Sequence, residues 1–140
     1  MSELSQIRPY SITFSVANIK PTTDWYVQKL GFRKIQEKSY PNFKTSIVFL
    51  EQNGFRIELI YDENAQQDVV VRPTPPAHTS VLGPSQCCFL TERLDALKRE
   101  LEEKEVAIEW EFENKELGVT FLFVRDPEGN LIQFLQPLST

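Results

Sequence analysis

Apolar and polar residues alternate strictly in SITFSV (residues 11–16), which predicts a strand with one apolar and one polar face. A helix is expected next, because Pro21 suits a helix start and Gly31 suits a helix end. The segments RKIQEKSY, KTSIVFLEQ and FRIELIYD then predict three strands, and Asn53-Gly54 predicts a tight hairpin between the last two. Residues 1–62 are therefore predicted to fold as one β-α-β-β-β module.

Residues 63–84 carry four prolines and little periodicity, so they are predicted to form a linker. A second helix is expected in TERLDALKRELEEKE, with Thr91 as its N-cap and Leu94, Leu97 and Leu101 as an apolar stripe. The segments SQCCFL, VAIEWEFE, GVTFLFVRD and NLIQFLQP predict the strands around it. Residues 85–140 thus repeat the β-α-β-β-β order, within what we expect to be one globular unit.

The spacing of four residues supports an internal duplication. Glu58 follows Ser11 by 47 residues, and Gln133 follows Gln86 by the same 47 residues. Alternation places all four on the sheet faces that point away from the helices. The predicted fold is therefore α+β, with two βαβββ modules forming cupped mixed sheets around a cleft that these four residues line.

Composition narrows the classes of function. The 140 residues include 15 Lys and Arg against 20 Asp and Glu, a net charge of −5 without a basic cluster, which argues against a nucleic-acid surface. No apolar run approaches the roughly 20 residues needed to span a bilayer, and no signal peptide is recognisable. We therefore expect a cytoplasmic protein that contacts neither nucleic acid nor membrane. The adjacent cysteines Cys87 and Cys88 point to opposite strand faces, so no disulfide between them is expected.

Four segments in order resemble the vicinal oxygen chelate superfamily, which includes glyoxalases, extradiol dioxygenases, and bleomycin- and fosfomycin-resistance proteins. They are SITFSVAN, WYVQKLGF, FRIELI and FVRDPEGNLIQF, the last being the most specific. The resemblance implies metal ligands on the first and last strands of each module, at Ser11, Glu58, Gln86 and Gln133. Of these four, only Glu58 is the residue type that the family usually has as a metal ligand at its position, and the amide oxygen of Gln86 is an acceptable ligand. Ser11 is a poor ligand, and Gln133 stands where a carboxylate would be expected.

One carboxylate, two amides and a hydroxyl give a total charge of −1 and no nitrogen donor, which is a weak set for a divalent cation. The leading hypothesis is therefore a metal-free protein without a cofactor that binds a small organic molecule in the cleft between the modules. The alternative is a lyase, isomerase or dioxygenase of the glyoxalase type with a weakly held Zn, Ni, Mn or Fe. A third possibility is a partner-binding module whose cleft is filled by side chains.

The candidate ligand-binding residues share the inward sheet faces: Ser11, Thr13, Arg56, Glu58, Gln86, Cys88, Trp110 and Gln133. Glu58 is either a base or cation-binding group, or a carboxylate paired with Arg56. Trp110 either packs or forms a wall for a planar ligand. His78, the single histidine, is expected at the surface of the linker, although it could fold over the cleft. A homodimer is expected, because relatives often cover their exposed strand edges by association.

Overall fold

The computed structural model describes residues 2–68 and 70–138. The chain divides into two compact units, residues 1–65 and 66–140. Most of the segment predicted as a linker therefore belongs to the second unit. No helix in the described part of the chain has the length and apolar character needed to cross a membrane.

The first unit contains one four-stranded mixed sheet and one long helix. Its elements are β1 (Ser11–Ser15), α1 (Ile19–Leu30), β2 (Arg33–Tyr40), β3 (Thr45–Gln52) and β4 (Phe55–Asp62). The strand order is β1-β4-β3-β2; β1 runs parallel to β4, and the other pairs are antiparallel. This is the βαβββ order predicted from the sequence.

Two turns of the first unit follow their predicted chemistry. Gly31 ends α1 in the left-handed conformation at φ 79°, where a side chain would be strained. Asn53 and Gly54 have φ of 51° and 82° and close a two-residue hairpin between β3 and β4, as an Asn-Gly pair favours. The helix start differs slightly, because α1 begins at Ile19 and Pro21 is its third residue.

The second unit repeats this architecture. Its elements are β5 (Cys87–Leu90), α2 (Leu94–Glu103), β6 (Trp110–Asn114), β7 (Val119–Arg125) and β8 (Leu131–Pro137). The strand order is β5-β8-β7-β6, again with only the first pair parallel. Together the two sheets and two helices confirm the predicted α+β class of two βαβββ modules.

The predicted cap of α2 is wrong. The residue before the helix is Arg93, and the Thr91 hydroxyl instead accepts a hydrogen bond from the Arg93 backbone N–H at 3.2 Å. The Leu94 N–H donates to the Gln136 side-chain oxygen at 2.6 Å. A side chain from β8, 42 residues later, thus satisfies a helix-start donor that sequence reasoning assigned to a local cap.

Each unit buries the apolar face of its sheet. Ile57 and Leu59 of β4 are fully buried in the first unit, and Ile132 and Val124 are fully buried in the second. Side chains alternate along a strand, so the neighbours of these residues point to the opposite face. That opposite face carries the candidate site residues in both units.

The register of the parallel pairs is identical in the two units. Thr13 lies opposite Glu58 on β1 and β4, and Cys88 lies opposite Gln133 on β5 and β8. The two pairs therefore occupy equivalent positions, as the equal 47-residue spacings predicted. Gln86 lies immediately before β5 rather than opening it.

Candidate functional site

In the first unit, Glu58 is held by a direct hydrogen bond. The Thr13 hydroxyl donates to Glu58 Oε1 at 2.6 Å, across the parallel pair of β1 and β4. Ser11 and Ser15 lie on the same strand face as Thr13 and are exposed. This polar face presents one oriented carboxylate with several hydroxyl groups.

Arg56 shares this face but does not pair with Glu58. Its Nε lies 3.7 Å from Glu51 Oε2, its guanidinium lies 4.6 Å from the ring centre of Tyr10, and it donates to the Tyr10 hydroxyl. The Arg56–Glu58 pair considered from the sequence is therefore replaced by contacts to β3 and to a residue before β1. The Asn53-Gly54 hairpin places Glu51 opposite Arg56, whereas no local pattern indicated the contact with Tyr10.

In the second unit, two amides meet at the equivalent position. Gln86 Nε2 donates to Gln133 Oε1 at 3.5 Å, a long contact between side chains 47 residues apart. Gln133 is only 8% exposed although it points away from α2. The two amides are thus close together and contact each other.

The turn before β8 fixes the position of Gln133. The Asp126 carboxylate accepts from the backbone N–H groups of Glu128 and Asn130 and from the Asn130 side chain, each at 2.9 Å. Gly129 has φ 87°, a conformation that favours glycine. This network explains the Asp-Pro-Glu-Gly-Asn segment physically, because it starts β8 in the register that turns Gln133 away from the helix.

Four aromatic rings cover the same face beside Gln133. They form what we call the aromatic face: Trp110, Phe112, Phe121 and Phe123. Trp110 and Phe112 stack with centroids 5.2 Å apart and planes 13° apart. Phe112 is 46% exposed, and Trp110 is half-buried, so their rings remain accessible to solvent.

His78 is buried, which corrects the expectation of a surface residue. It lies in a 3-10 helix (Ala77–Ser80), is 5% exposed, and packs with its ring centroid 5.0 Å from that of Phe123. Its buried Nδ1 has no hydrogen-bond partner. Leaving a buried polar atom unpaired costs on the order of 1–3 kcal/mol, so this nitrogen needs a physical explanation.

Arg72 holds the segment that contains His78. Its guanidinium donates to the carbonyls of His78 at 2.8 Å, Leu82 at 3.3 Å and Pro84 at 2.8 Å, and also to the Val81 carbonyl. The Arg72 carbonyl accepts in turn from Arg125 Nη2 of β7 at 2.8 Å. We call residues 72–84 the strap, because these bonds close them into a fixed loop over the second sheet.

The two thiols are poorly suited to nucleophilic chemistry at neutral pH. Burial, with a smaller contribution from Cys88, raises the pKa of the Cys87 thiol to about 11. Desolvation also raises the pKa of the Cys88 thiol, which lies on the exposed side of β5. Since the thiolate is the reactive form, neither cysteine is favoured as a nucleophile.

The donor set does not fit a tightly bound transition metal. Among residues 2–68 and 70–138, no group of three or more His, Cys, Asp or Glu side chains is arranged to hold one. The carboxylate of Glu58 already accepts from Thr13, and the two amides of the second unit are neutral. Such donors do not replace the hydration shell of a dication as carboxylates and imidazoles do.

Comparison with known proteins is consistent with this architecture. Residues 9–134 match the model of a family described as the Glyoxalase/Bleomycin resistance protein/Dioxygenase superfamily. No curated protein matches the chain significantly.

Solved structures share the fold at low sequence identity. A glyoxalase family protein from Enterococcus faecalis is 23% identical with a TM-score of 0.71, over 92% of this chain and 95% of that one. A glyoxylase/bleomycin resistance protein/dioxygenase domain from Frankia sp. EAN1pec is 16% identical with a TM-score of 0.72, over 94% and 92%. A glyoxalase I variant from Zea mays is 18% identical with a TM-score of 0.74, over 94% of this chain but 46% of that one.

Proposed function

Because this chain belongs to the Glyoxalase/Bleomycin resistance protein/Dioxygenase superfamily, we propose that it uses the family scaffold to bind a small planar organic molecule without a transition metal. The observation that carries the proposal is the aromatic face, where the Trp110 and Phe112 rings stack and stay accessible. An aromatic wall with a few polar groups beside it is the usual composition of a small-molecule site. The polar groups here are the amides of Gln86 and Gln133.

The chemistry of this face selects an uncharged ligand. Arg125 is the cation nearest along β7, and it is already engaged, with Nε 3.2 Å from Glu109 Oε1 and Nη1 donating to the Gly129 carbonyl at 3.1 Å. The other side chains that the register places on this face of β6, β7 and β8 are uncharged. A flat apolar molecule bearing one or two hydrogen-bonding groups suits such a surface.

The polar face of the first sheet is proposed as a second contact surface of different chemistry. Glu58, oriented by Thr13, suits a cationic group or a hydrogen-bond donor, and Ser11 and Arg56 add further polar atoms beside it. The exposed edges of each four-stranded sheet support a further proposal, that the protein is a homodimer. Sedimentation of a single species of 16.3 kDa at micromolar concentration would reject the dimer.

Tryptophan fluorescence tests the aromatic face directly. The chain has two tryptophans, Trp25 on α1 and Trp110 on β6, so Trp25→Phe leaves Trp110 as the sole reporter. We expect 2-naphthol and naphthalene to quench this signal saturably. In the same background Phe112→Leu should weaken binding roughly threefold to tenfold, the scale of one aromatic contact.

Phe89→Leu is the matched control. Phe89 lies on β5 of the same sheet but stacks on Phe134, on the face that packs toward α2. Its replacement should leave probe affinity unchanged. Absence of saturable quenching, or equal losses from both leucine variants, would refute binding at the aromatic face.

A further inference from the structure

His78 belongs to a segment that the sheet-based site does not include. It is the only histidine in the chain, it lies in the strap, and its ring covers Phe123 at 5.0 Å between centroids. Its Nδ1 is buried without a partner. If His78 only packed against aromatic rings, its unpaired polar nitrogen would cost free energy at this buried position without any compensating hydrogen bond.

We propose that His78 is a ligand-binding residue, whose Nδ1 forms a hydrogen bond with a hydroxyl or ring N–H group of a planar molecule on the aromatic face. This inference rests on the proposed function and narrows its ligand class to planar, uncharged molecules that carry such a group. The His78 ring lies beside the exposed aromatic rings, because Phe123 contacts both His78 and Trp110.

The strap places His78 for this role. Arg72 donates to the His78 carbonyl at 2.8 Å and ties the following residues through three more carbonyls. The Arg72 carbonyl is itself bonded to Arg125 of β7, which borders the aromatic face. The backbone of the histidine is thus fixed relative to the sheet, which lowers the entropy cost of ordering it around a ligand.

Access to Nδ1 requires only a local shift. The nitrogen is closed to solvent, yet the residues on either side of His78, Ala77 and Thr79, are exposed. A rotation of the His78 side chain therefore suffices, and it leaves the backbone hydrogen bond to Arg72 in place. A ligand that donates a hydrogen bond to Nδ1 therefore stabilises the conformation in which this nitrogen is accessible.

Two probes that differ by one hydroxyl test the inference. In the Trp25→Phe protein, we expect His78→Phe to weaken 2-naphthol binding about fivefold, the scale of one lost hydrogen bond, and to leave naphthalene binding within about twofold. Phenylalanine retains a ring over Phe123 but has no hydrogen-bonding atom. Thr79→Val, which changes the exposed neighbour, should alter neither affinity.

A second measurement needs no substitution at His78. Because the chain has one histidine, its imidazole nitrogen signals in an NMR spectrum are unambiguous. The Nδ1 resonance should move further on addition of 2-naphthol than of naphthalene. If His78→Phe fails to fold, this comparison decides the question.

The outcomes separate the two proposals. Binding of both probes with equal losses in His78→Phe, or with equal movement of the Nδ1 resonance, overturns the role of His78 and leaves the aromatic face intact. Absence of saturable binding of either probe overturns the proposed function and the role of His78 together. Selective loss of 2-naphthol binding supports both.

Discussion

Replacement of Arg72 by methionine should loosen the strap while leaving the two sheets folded. Methionine keeps an apolar stem of similar length but removes the guanidinium. Four hydrogen bonds are lost, to the carbonyls of His78, Val81, Leu82 and Pro84. None of these carbonyls lies in a strand of the sheet, so the loss falls on the strap itself.

The expected loss of unfolding free energy depends on how exposed each of the four hydrogen bonds is. The bonds to His78 and Val81 are part-buried and contribute about 1 kcal/mol each, whereas water replaces those to Leu82 and Pro84 at little cost. We therefore expect Arg72→Met to lower the free energy of unfolding of the second unit by about 2 kcal/mol. Arg99→Met is the matched control, since the Arg99–Asp95 pair at 3.9 Å is exposed and contributes about 0.5 kcal/mol or less.

Urea denaturation measures the global effect, and hydrogen exchange locates it. Backbone amides of residues 77–83 should exchange faster in Arg72→Met than in the parent protein, and at the parent rate in Arg99→Met. If both variants match the parent in unfolding free energy and in amide exchange at residues 77–83, the strap is not held by Arg72 and the reasoning is refuted.

Two further predictions concern the thiol and the metal. The folded-state pKa of Cys87, about 11, lies above its ordinary value of 9.0, so its contribution to stability is complete below pH 9 and is lost as pH rises to 11. The unfolding free energy of the parent minus that of Cys87→Ala should therefore fall by roughly 2 kcal/mol across this interval, and a constant difference would contradict it. For the metal, the purified protein should hold well under one equivalent of Zn, Ni, Mn or Fe, and EDTA should leave its melting temperature unchanged. Stoichiometric metal that disappears in Glu58→Gln would instead support the enzyme alternative.

On the polar face of the first unit, strand alternation predicted some of the contacts but not others. Alternation placed Glu58 and Thr13 on one face, and the structure joins them by a hydrogen bond of 2.6 Å. The partners of Arg56, by contrast, are Glu51, across the β3–β4 hairpin, and Tyr10, which is 46 residues earlier and is reached by a long flexible side chain. The alternation of side chains along a strand determines the face on which a side chain lies. It does not determine which atoms the end of a long side chain contacts.

The sequence by itself determined the two β-α-β-β-β modules, because strand alternation, the Asn53-Gly54 hairpin and the Gly31 helix end are properties of neighbouring residues. It also determined that Glu58 and Gln133 occupy equivalent positions, since equal spacing gives equal register.

Only the tertiary structure decided the place of His78 and the form of the strap. Residues 63–84 have no period, and the conformation of the strap among them depends on Arg72 bonding carbonyls up to 12 residues away and on Arg125, 53 residues away. Such contacts form only after the sheet has folded, so no local pattern in the chain could record that its single histidine is buried against Phe123.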